Sequence, residues 1–345
     1  MEITELLTLA LTNNASDLHL SAGVAPILRV DGDMRKLDLP ILEDKQAREL
    51  CYAILTTDQR KKYEEELELD LSFEIPDLAR FRVNVFEQNR GIAAAFRCIP
   101  ANIQTLDELQ APAILSEITT FPRGLVLITG PTGSGKSTTL AAMIDHINRN
   151  RAVHIISIED PIEFIHQNKK SLMTQREVLR DTQSFSIALR SALREDPDVI
   201  LVGELRDLES IRLALTAAET GHLVLATLHT SSAAKTIDRL IDVFPGDEKA
   251  MVRGMLSESL RAVISQTLIK RIAGGRIAGF EIMMVTPAIR HLIREAKIAQ
   301  IYSSIQTNRS LGMQTLDQHL QELLKNQVIE KQQARELAEC KELFN

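Results

Sequence analysis

"GLVLITGPTGSGKSTTLAAMIDHINR", residues 124–149, is the stretch that decides the fold. An apolar run suited to a buried strand enters a glycine-rich turn, and the turn opens a helical pattern. Within it, "GPTGSGKS", Gly130 to Ser137, fits G-x-x-x-x-G-K-[ST] in the strand–turn–helix context that the motif requires. Gly130, Gly133 and Gly135 let backbone N–H groups approach phosphate oxygens, and the helix N-terminus adds a positive dipole end. Pro131, Thr132 and Ser134 complete the loop, and Thr138 follows it into the helix. Lys136 is expected to reach the β- and γ-phosphates and Ser137 to bind Mg²⁺, so ATP and Mg²⁺ are the expected ligands. The alternative is a glycine-rich strand-to-helix turn with no ligand.

Working outward, "VHIISIED" (153–160), "VILVGE" (199–204), "HLVLATLH" (222–229) and "FEIMMV" (280–285) are further strand-length apolar runs. The first three, with "GLVLITG", read as strands buried on both faces, and helical patterns separate them. In "SFSIALRSALRED", Phe185, Ala188, Leu189, Ala192 and Leu193 share a helical face. Alternation of this kind predicts an open α/β sheet.

Ligands of such sheets lie beyond the carboxyl ends of the strands. That rule gathers Glu159, Asp160 and Glu163 after the second strand, Glu204 after the third, and Thr227, His229 and Thr230 after the fourth. Glu204, at a strand tip, is expected in the Mg²⁺ shell. Glu163 lies past Pro161 on a loop with more reach toward a γ-phosphate, and is expected to position the attacking water. Spacing alone serves equally well for a turn or helix-start carboxylate at Glu163. His222 and His229 stand seven residues apart on a strand, so they face opposite ways, which argues against a shared metal. His229 is placed to sense the γ-phosphate. His222 begins the strand at its other end, where a structural role fits as well as a functional one.

Residues 1–99 read as a small α+β domain, with strand-like "LHLSAG", "PILRVDGDM" and "RFRVNVFEQNRGIAAAFRCI" and helices within 44–66. "KKYEEELELD" reads as a solvated helix end. Residues 100–122 carry three prolines and no strong period, and are expected to be a linker with short helices. Residues 123–285 form the α/β core, and 286–345 are helical. A net charge of -7 and an aromatic content of 4% argue against a nucleic-acid surface. Cys51, Cys98 and Cys340 are too scattered for a zinc site or a disulfide framework, which fits a reducing cytoplasm. The N-terminus lacks the basic region of a signal peptide, and no apolar run is long enough to span a bilayer. Work at a membrane would therefore require docking onto something already there.

In order and spacing, "GPTGSGKS", "ISIEDPIEF", "DPDVILVGELRD" and "TGHLVLATLHT" resemble the Walker A, Asp, Walker B and His boxes of the secretion and type IV pilus ATPases. "SDLHLSAG" and "RVDGDM" also fit that family. The resemblance implies a PAS-like α+β N-terminal domain, a RecA-like P-loop ATPase domain with a helical C-terminal region, and a ring-shaped homohexamer. "AIRHLIRE", Ala288 to Glu295, resembles the motif of the retraction branch, with His291 replacing Asn. It implies roles in retraction for Arg290, Arg294 and Glu295. Read from the residues alone it is an amphipathic helix with a basic face. The paired cysteines and long N-terminal extensions of many extension and secretion ATPases are absent.

Catalysis in this family is shared across subunits, which implies that Arg80, Arg82 or Arg97 reaches a neighbour's nucleotide and neutralises charge on the γ-phosphoryl group. Alternating positions put Arg80 and Arg82 on one strand face, where a solvated surface is the other reading. The implied function is a hexameric Mg²⁺-dependent ATPase that powers pilus retraction and twitching motility. It would be cytoplasmic, docked peripherally on an inner-membrane platform protein and opposed by an extension ATPase, with no nucleic-acid partner. The alternatives are an extension or type II secretion motor, a RecA-like nucleic-acid translocase, and a non-enzymatic nucleotide-gated scaffold.

Overall fold

Residues 2–75, 78–99 and 102–344 are described by the computed structural model. The chain divides into two units, Met1–Asn102 and Ile103–Asn345. Pro100 and Ala101, the first two residues of the expected linker, lie outside the described residues.

The first unit is a six-stranded antiparallel sheet under helices α1 (Ile3–Thr12), α2 (Asp44–Tyr52) and α3 (Thr57–Glu66). Its strands are β1 (Asp17–Ser21), β2 (Ile27–Val30), β3 (Asp33–Lys36), β4 (Glu68–Ile75), β5 (Ala79–Gln88) and β6 (Gly91–Ile99), in the order β3-β2-β1-β6-β5-β4. Asp31 and Gly32 both have positive φ, so "VDGD" makes the two-residue hairpin that its composition favours. Along β5, Phe81, Val83 and Val85 enter the core while Arg80 and Arg82 take the opposite face. The charge run at 61–70 is only half helix. Leu67, at φ 61°, ends α3, and "ELDL" begins β4. Its period of two was hidden by its charges.

The second unit holds α4 (Ile114–Ile118), β7 (Gly124–Thr129), α5 (Lys136–Asn150), β8 (His154–Glu159), β9 (Leu172–Glu177) and α6 (Phe185–Ala192). There follow β10 (Val199–Val202), α7 (Leu208–Glu219), β11 (Leu223–Leu228), α8 (Ala233–Asp242), α9 (Lys249–Ser259), β12 (Leu260–Lys270) and β13 (Arg276–Met284). Helices α10 (Pro287–Arg294), α11 (Ile301–Thr307), α12 (Leu316–Lys325) and α13 (Lys331–Leu337) complete it. The sheet order is β13-β12-β7-β11-β10-β8-β9, parallel throughout except for the edge strand β13.

Side chains of β7 alternate between two cores. Leu125 and Leu127 pack with residues of α6, α7 and α8, and Val126 and Ile128 with Leu140, Met143 and Ile147 of α5. A strand covered on both faces has no solvent side to mark with polar residues, which is why its sequence is a continuous apolar run. Leu106, Leu115 and Ile118, from the segment expected as a linker, are buried in the α5 core, so this segment is part of the second unit. Strands β9 and β12 are additions to the sequence reading. The exposed Leu172 and mixed "MTQRE" of β9 make an edge strand without an apolar run, and β12 leaves α9 with no Gly or Pro between them.

Candidate active site

The glycine loop joins β7 to α5. Gly130 has φ 144°, and a Cβ there would lie 2.2 Å from the Gln266 carbonyl oxygen, so only glycine fits this crossing of backbones. Gln266, on β12, also donates from Nε2 to the Ser134 carbonyl at 2.6 Å. The loop is thus braced by a strand 132 residues away in sequence. Ser134 Oγ and Gln266 Oε1 are buried without a hydrogen-bond partner among the described residues; the Ser134 hydroxyl can donate to a phosphate oxygen, whereas the Gln266 amide oxygen can only accept. Pro131, Thr132, Gly133 and Ser137 are exposed, and Gly135 and Thr138 half-buried.

Lys136 is 8% exposed and folds back on the loop. Its ammonium donates to the carbonyls of Gly130 at 2.7 Å and Pro131 at 3.0 Å, and lies 3.4 Å from His229 Nδ1. Burial holds its pKa below the usual value, although the charges of Glu204 and Glu163 pull the other way. A chain of polar contacts leads on. His229 Nε2 is 3.2 Å from Glu204 Oε1, and Arg206 Nε donates to Glu204 Oε2 at 2.8 Å. Arg206 also lies 3.9 Å from the exposed Asp160 carboxylate. The geometry suits a His229 tautomer that accepts from Lys136 at Nδ1 and donates to Glu204 from Nε2.

The two acids proposed for the chemistry differ in their surroundings. Glu204 is held by His229 and Arg206. The Glu163 carboxylate is half-buried and has no hydrogen bond or ion pair among the described residues, yet its charge is felt at both Lys136 and Glu159. Glu159 accepts from Ser157 Oγ at 2.7 Å and Gln175 Nε2 at 3.3 Å. Burial pushes its carboxyl up to about 7. Thr227 donates to the Gly203 carbonyl, tying β11 to the turn that carries Glu204, and Thr230 bonds Thr236 at 2.7 Å.

The segment carrying Glu163 is anchored by residues that spacing did not reveal. Asn148, fully buried on α5, donates to the Gln167 carbonyl at 2.7 Å and accepts from Lys169 N at 3.1 Å. Asp145, one helical turn earlier, pairs with Lys169 and Arg149. Gln175 bonds the Phe164 carbonyl and His166 N, and Glu177 accepts from Ile162 N. The Asp160–Pro161 bond is cis. A polar residue in an amphipathic helix carries no sequence mark of such a role.

Within the second unit, other expected residues lie apart from this crevice. His222 sits at the amino end of β11, its ring near the Ala217 carbonyl and Thr220 Oγ1. Arg290 and Arg294 lie on α10, Glu295 caps it, and Arg294 pairs with Glu258 at 2.7 Å. In the first unit, Arg82 and Arg97 are direct cross-strand neighbours on the face shared with Arg80. Arg97 is committed to Asp17 at 3.1 Å, and Arg80 donates to Ser72 at 3.2 Å. The Arg82 side chain has no hydrogen bond or ion pair among the described residues.

A glycine phosphate loop on a parallel sheet, with a lysine, two acids and a histidine at the strand ends, defines a P-loop nucleotide hydrolase. The chain belongs to the type II/IV secretion system protein family, whose model matches residues 1–335. It is 64% identical over 344 residues to the type IV pilus retraction ATPase PilT of Pseudomonas aeruginosa, covering 100% of each chain. It is 58% identical over 318 residues to a twitching motility protein of Neisseria gonorrhoeae, covering 92% of this chain and 85% of the relative. Among solved structures, it matches the pilus retraction motor PilT with bound ADP at a TM-score of 0.87 and 47% identity, over 98% of this chain and 97% of that one.

Proposed function

We propose that this protein is a Mg²⁺-dependent ATPase motor that powers retraction of type IV pili. The observation that carries the assignment of the chemistry is the contrast between the two acids. Glu204 is occupied by His229 and Arg206, whereas the Glu163 carboxylate has no partner among the described residues and sits on an anchored loop close enough to act electrostatically on Lys136. An unpartnered carboxylate can accept a proton from water. Glu163 is therefore the residue that orients and polarises the attacking water.

Lys136 exchanges its two loop carbonyls for phosphate oxygens, whose charge compensates its burial. The exposed Ser137 hydroxyl and the Glu204 carboxylate are hard oxygen donors of the kind that Mg²⁺ takes and would hold it, and the ion would supply neutralisation of phosphate charge. His229 joins Lys136 to Glu204, so a change at the phosphate end is passed to the Glu204–Arg206 pair. Of the three candidate arginines Arg80, Arg82 and Arg97, Arg82 is the one for trans action, since Arg80 and Arg97 already have side-chain partners. That role requires a neighbouring subunit, and we assign a homohexameric ring in which each N-terminal domain closes on the next ATPase domain.

Among the described residues no helix is long and apolar enough to cross a membrane, so force reaches the pilus through a docked inner-membrane platform protein, in opposition to an extension ATPase. Glu163→Ala should retain ATP binding and ring assembly and lose turnover. Normal turnover by the folded variant would remove Glu163 from the role. Deletion of the gene should leave surface pili and abolish surface motility; loss of the pili would indicate an extension motor instead.

A further inference from the structure

At the end of the second unit's sheet opposite the glycine loop, a pocket of about 310 Å³ opens among the amino ends of β7 and β12, the last turns of α7 and α9, and α10. Arg123, Arg261 and Arg290 line it, together with Glu219, Glu258 and Ser259. Among the described residues no ion pair joins these arginines to the lining carboxylates, although the charge of Glu258 acts on Arg261. Glu258 is drawn to Arg294 at 2.7 Å, and Glu219 has no side-chain partner among the described residues. Arg261 spends its Nε on the Arg123 carbonyl at 3.2 Å. Its pKa lies below the usual guanidinium value, first through burial and then through repulsion from Arg290 and Arg123. Arg290 Nε is buried with no hydrogen-bond partner among the described residues.

Guanidinium groups are seldom left crowded and unsatisfied in a fold, because an unpaired donor removed from water has a cost that a partner removes. The ends of α7 and α9 contribute partial negative charge that tolerates the arginines, but main-chain carbonyls do not match the planar fork of a guanidinium as an oxyanion does. We propose that the Arg123–Arg261–Arg290 pocket is an oxyanion site, taking a carboxylate or phosphate group. The anion enters between the three guanidinium groups and pairs with Arg290, and its charge relieves the repulsion at Arg261. Because the pocket spans the amino ends of β7 and β12, an anion there ties together two paired strands that also meet at the glycine loop, β7 by leading into it and β12 through Gln266. The site is separate from the nucleotide chemistry and does not depend on which acid activates water.

The test uses the full chain saturated with Mg²⁺–ADP, so that the glycine loop is filled, titrated calorimetrically at low salt with inorganic phosphate and with a hexaglutamate peptide. At least one probe should bind saturably, one per chain, with affinity falling as salt rises. Arg290→Gln and Arg261→Gln should each weaken it about tenfold or more, and Arg290→Lys should recover part of the loss. Tighter peptide binding would identify a side chain presented by a protein partner, and tighter phosphate binding a free anion. In the unaltered protein, the bound probe should also slow phenylglyoxal modification of Arg290 and Arg261, read by mass spectrometry. No saturable binding of either probe, or binding and modification indifferent to these arginines, would overturn the proposal.

Discussion

Asn148→Ala separates the anchoring of the segment that carries Glu163 from the binding of nucleotide. The side chain is fully buried and closes two hydrogen bonds, to the Gln167 carbonyl and from Lys169 N. Gln167 and Lys169 are themselves exposed, so water can partly solvate the groups left behind. The net value of each bond is then about 0.5–1.5 kcal/mol rather than the full cost of a stranded buried group. Losing both favours opening of the 162–170 segment by about 1–3 kcal/mol, or roughly five- to 150-fold in the opened population.

Asn148 lies in the last turns of α5, and Lys136 at its start, so the phosphate loop keeps its own bonds to Gln266 and should bind nucleotide as before. The expected result is faster amide exchange at Lys169, a lower kcat and an unchanged Kd for ATP. Asn148→Asp should be worse than Ala at neutral pH, because it keeps the acceptor for Lys169 N but turns a buried carboxylate toward the Gln167 carbonyl. Unchanged exchange in the segment combined with an unchanged kcat would refute the anchoring role. A rise in Kd equal to the fall in kcat would show instead that the loop itself had been disturbed.

Gly130→Ala should weaken nucleotide binding more than tenfold while the unit stays folded, since its Cβ would overlap the Gln266 carbonyl oxygen; fluorescent-nucleotide titration measures it, and near-normal affinity would contradict the crossing described. Glu281 is 5% exposed and accepts from Ala233 N at 2.7 Å, and burial, with Glu339 and Asp317 adding to it, pushes its carboxyl up to about 7. A raised acid binds its proton more tightly in the folded chain, so its ionisation takes stability away as pH rises from about 4.5 to 7, by about 3 kcal/mol at most. Glu281→Gln should therefore gain on the parent in denaturant midpoint from pH 5 to pH 8, and parallel pH curves would exclude this linkage.

Much of the nucleotide site is local in sequence. The spacing of Gly130, Gly133, Gly135, Lys136 and Ser137 is set within one strand-to-helix turn, where conformation and chemistry are both local. The parallel strands were equally legible, because burial on both faces leaves only apolar residues in β7, β8, β10 and β11 apart from the small hydroxyls of Thr129, Ser157 and Thr227 and the end residues His154 and Glu159. Edge strand β9 lacks that burial, and β12 lacks a breaker at its start, so neither announced itself. The support of the site was illegible for another reason. Asn148, Gln175 and Gln266 act across 9 to 132 residues of chain, and nothing local to them differs from ordinary polar positions.

The sequence by itself determined that acids, a histidine and a phosphate loop meet at one end of a sheet, since strand direction sends every carboxyl end there. Only the tertiary structure decided how the equivalent residues divide. His229 and Arg206 close around Glu204 and Asp17 and Ser72 engage Arg97 and Arg80, while the Glu163 and Arg82 side chains have no partner among the described residues. Side-chain identity sets what a residue can do. Its availability is set by the partners that folding brings within hydrogen-bond reach, and those come from distant parts of the chain.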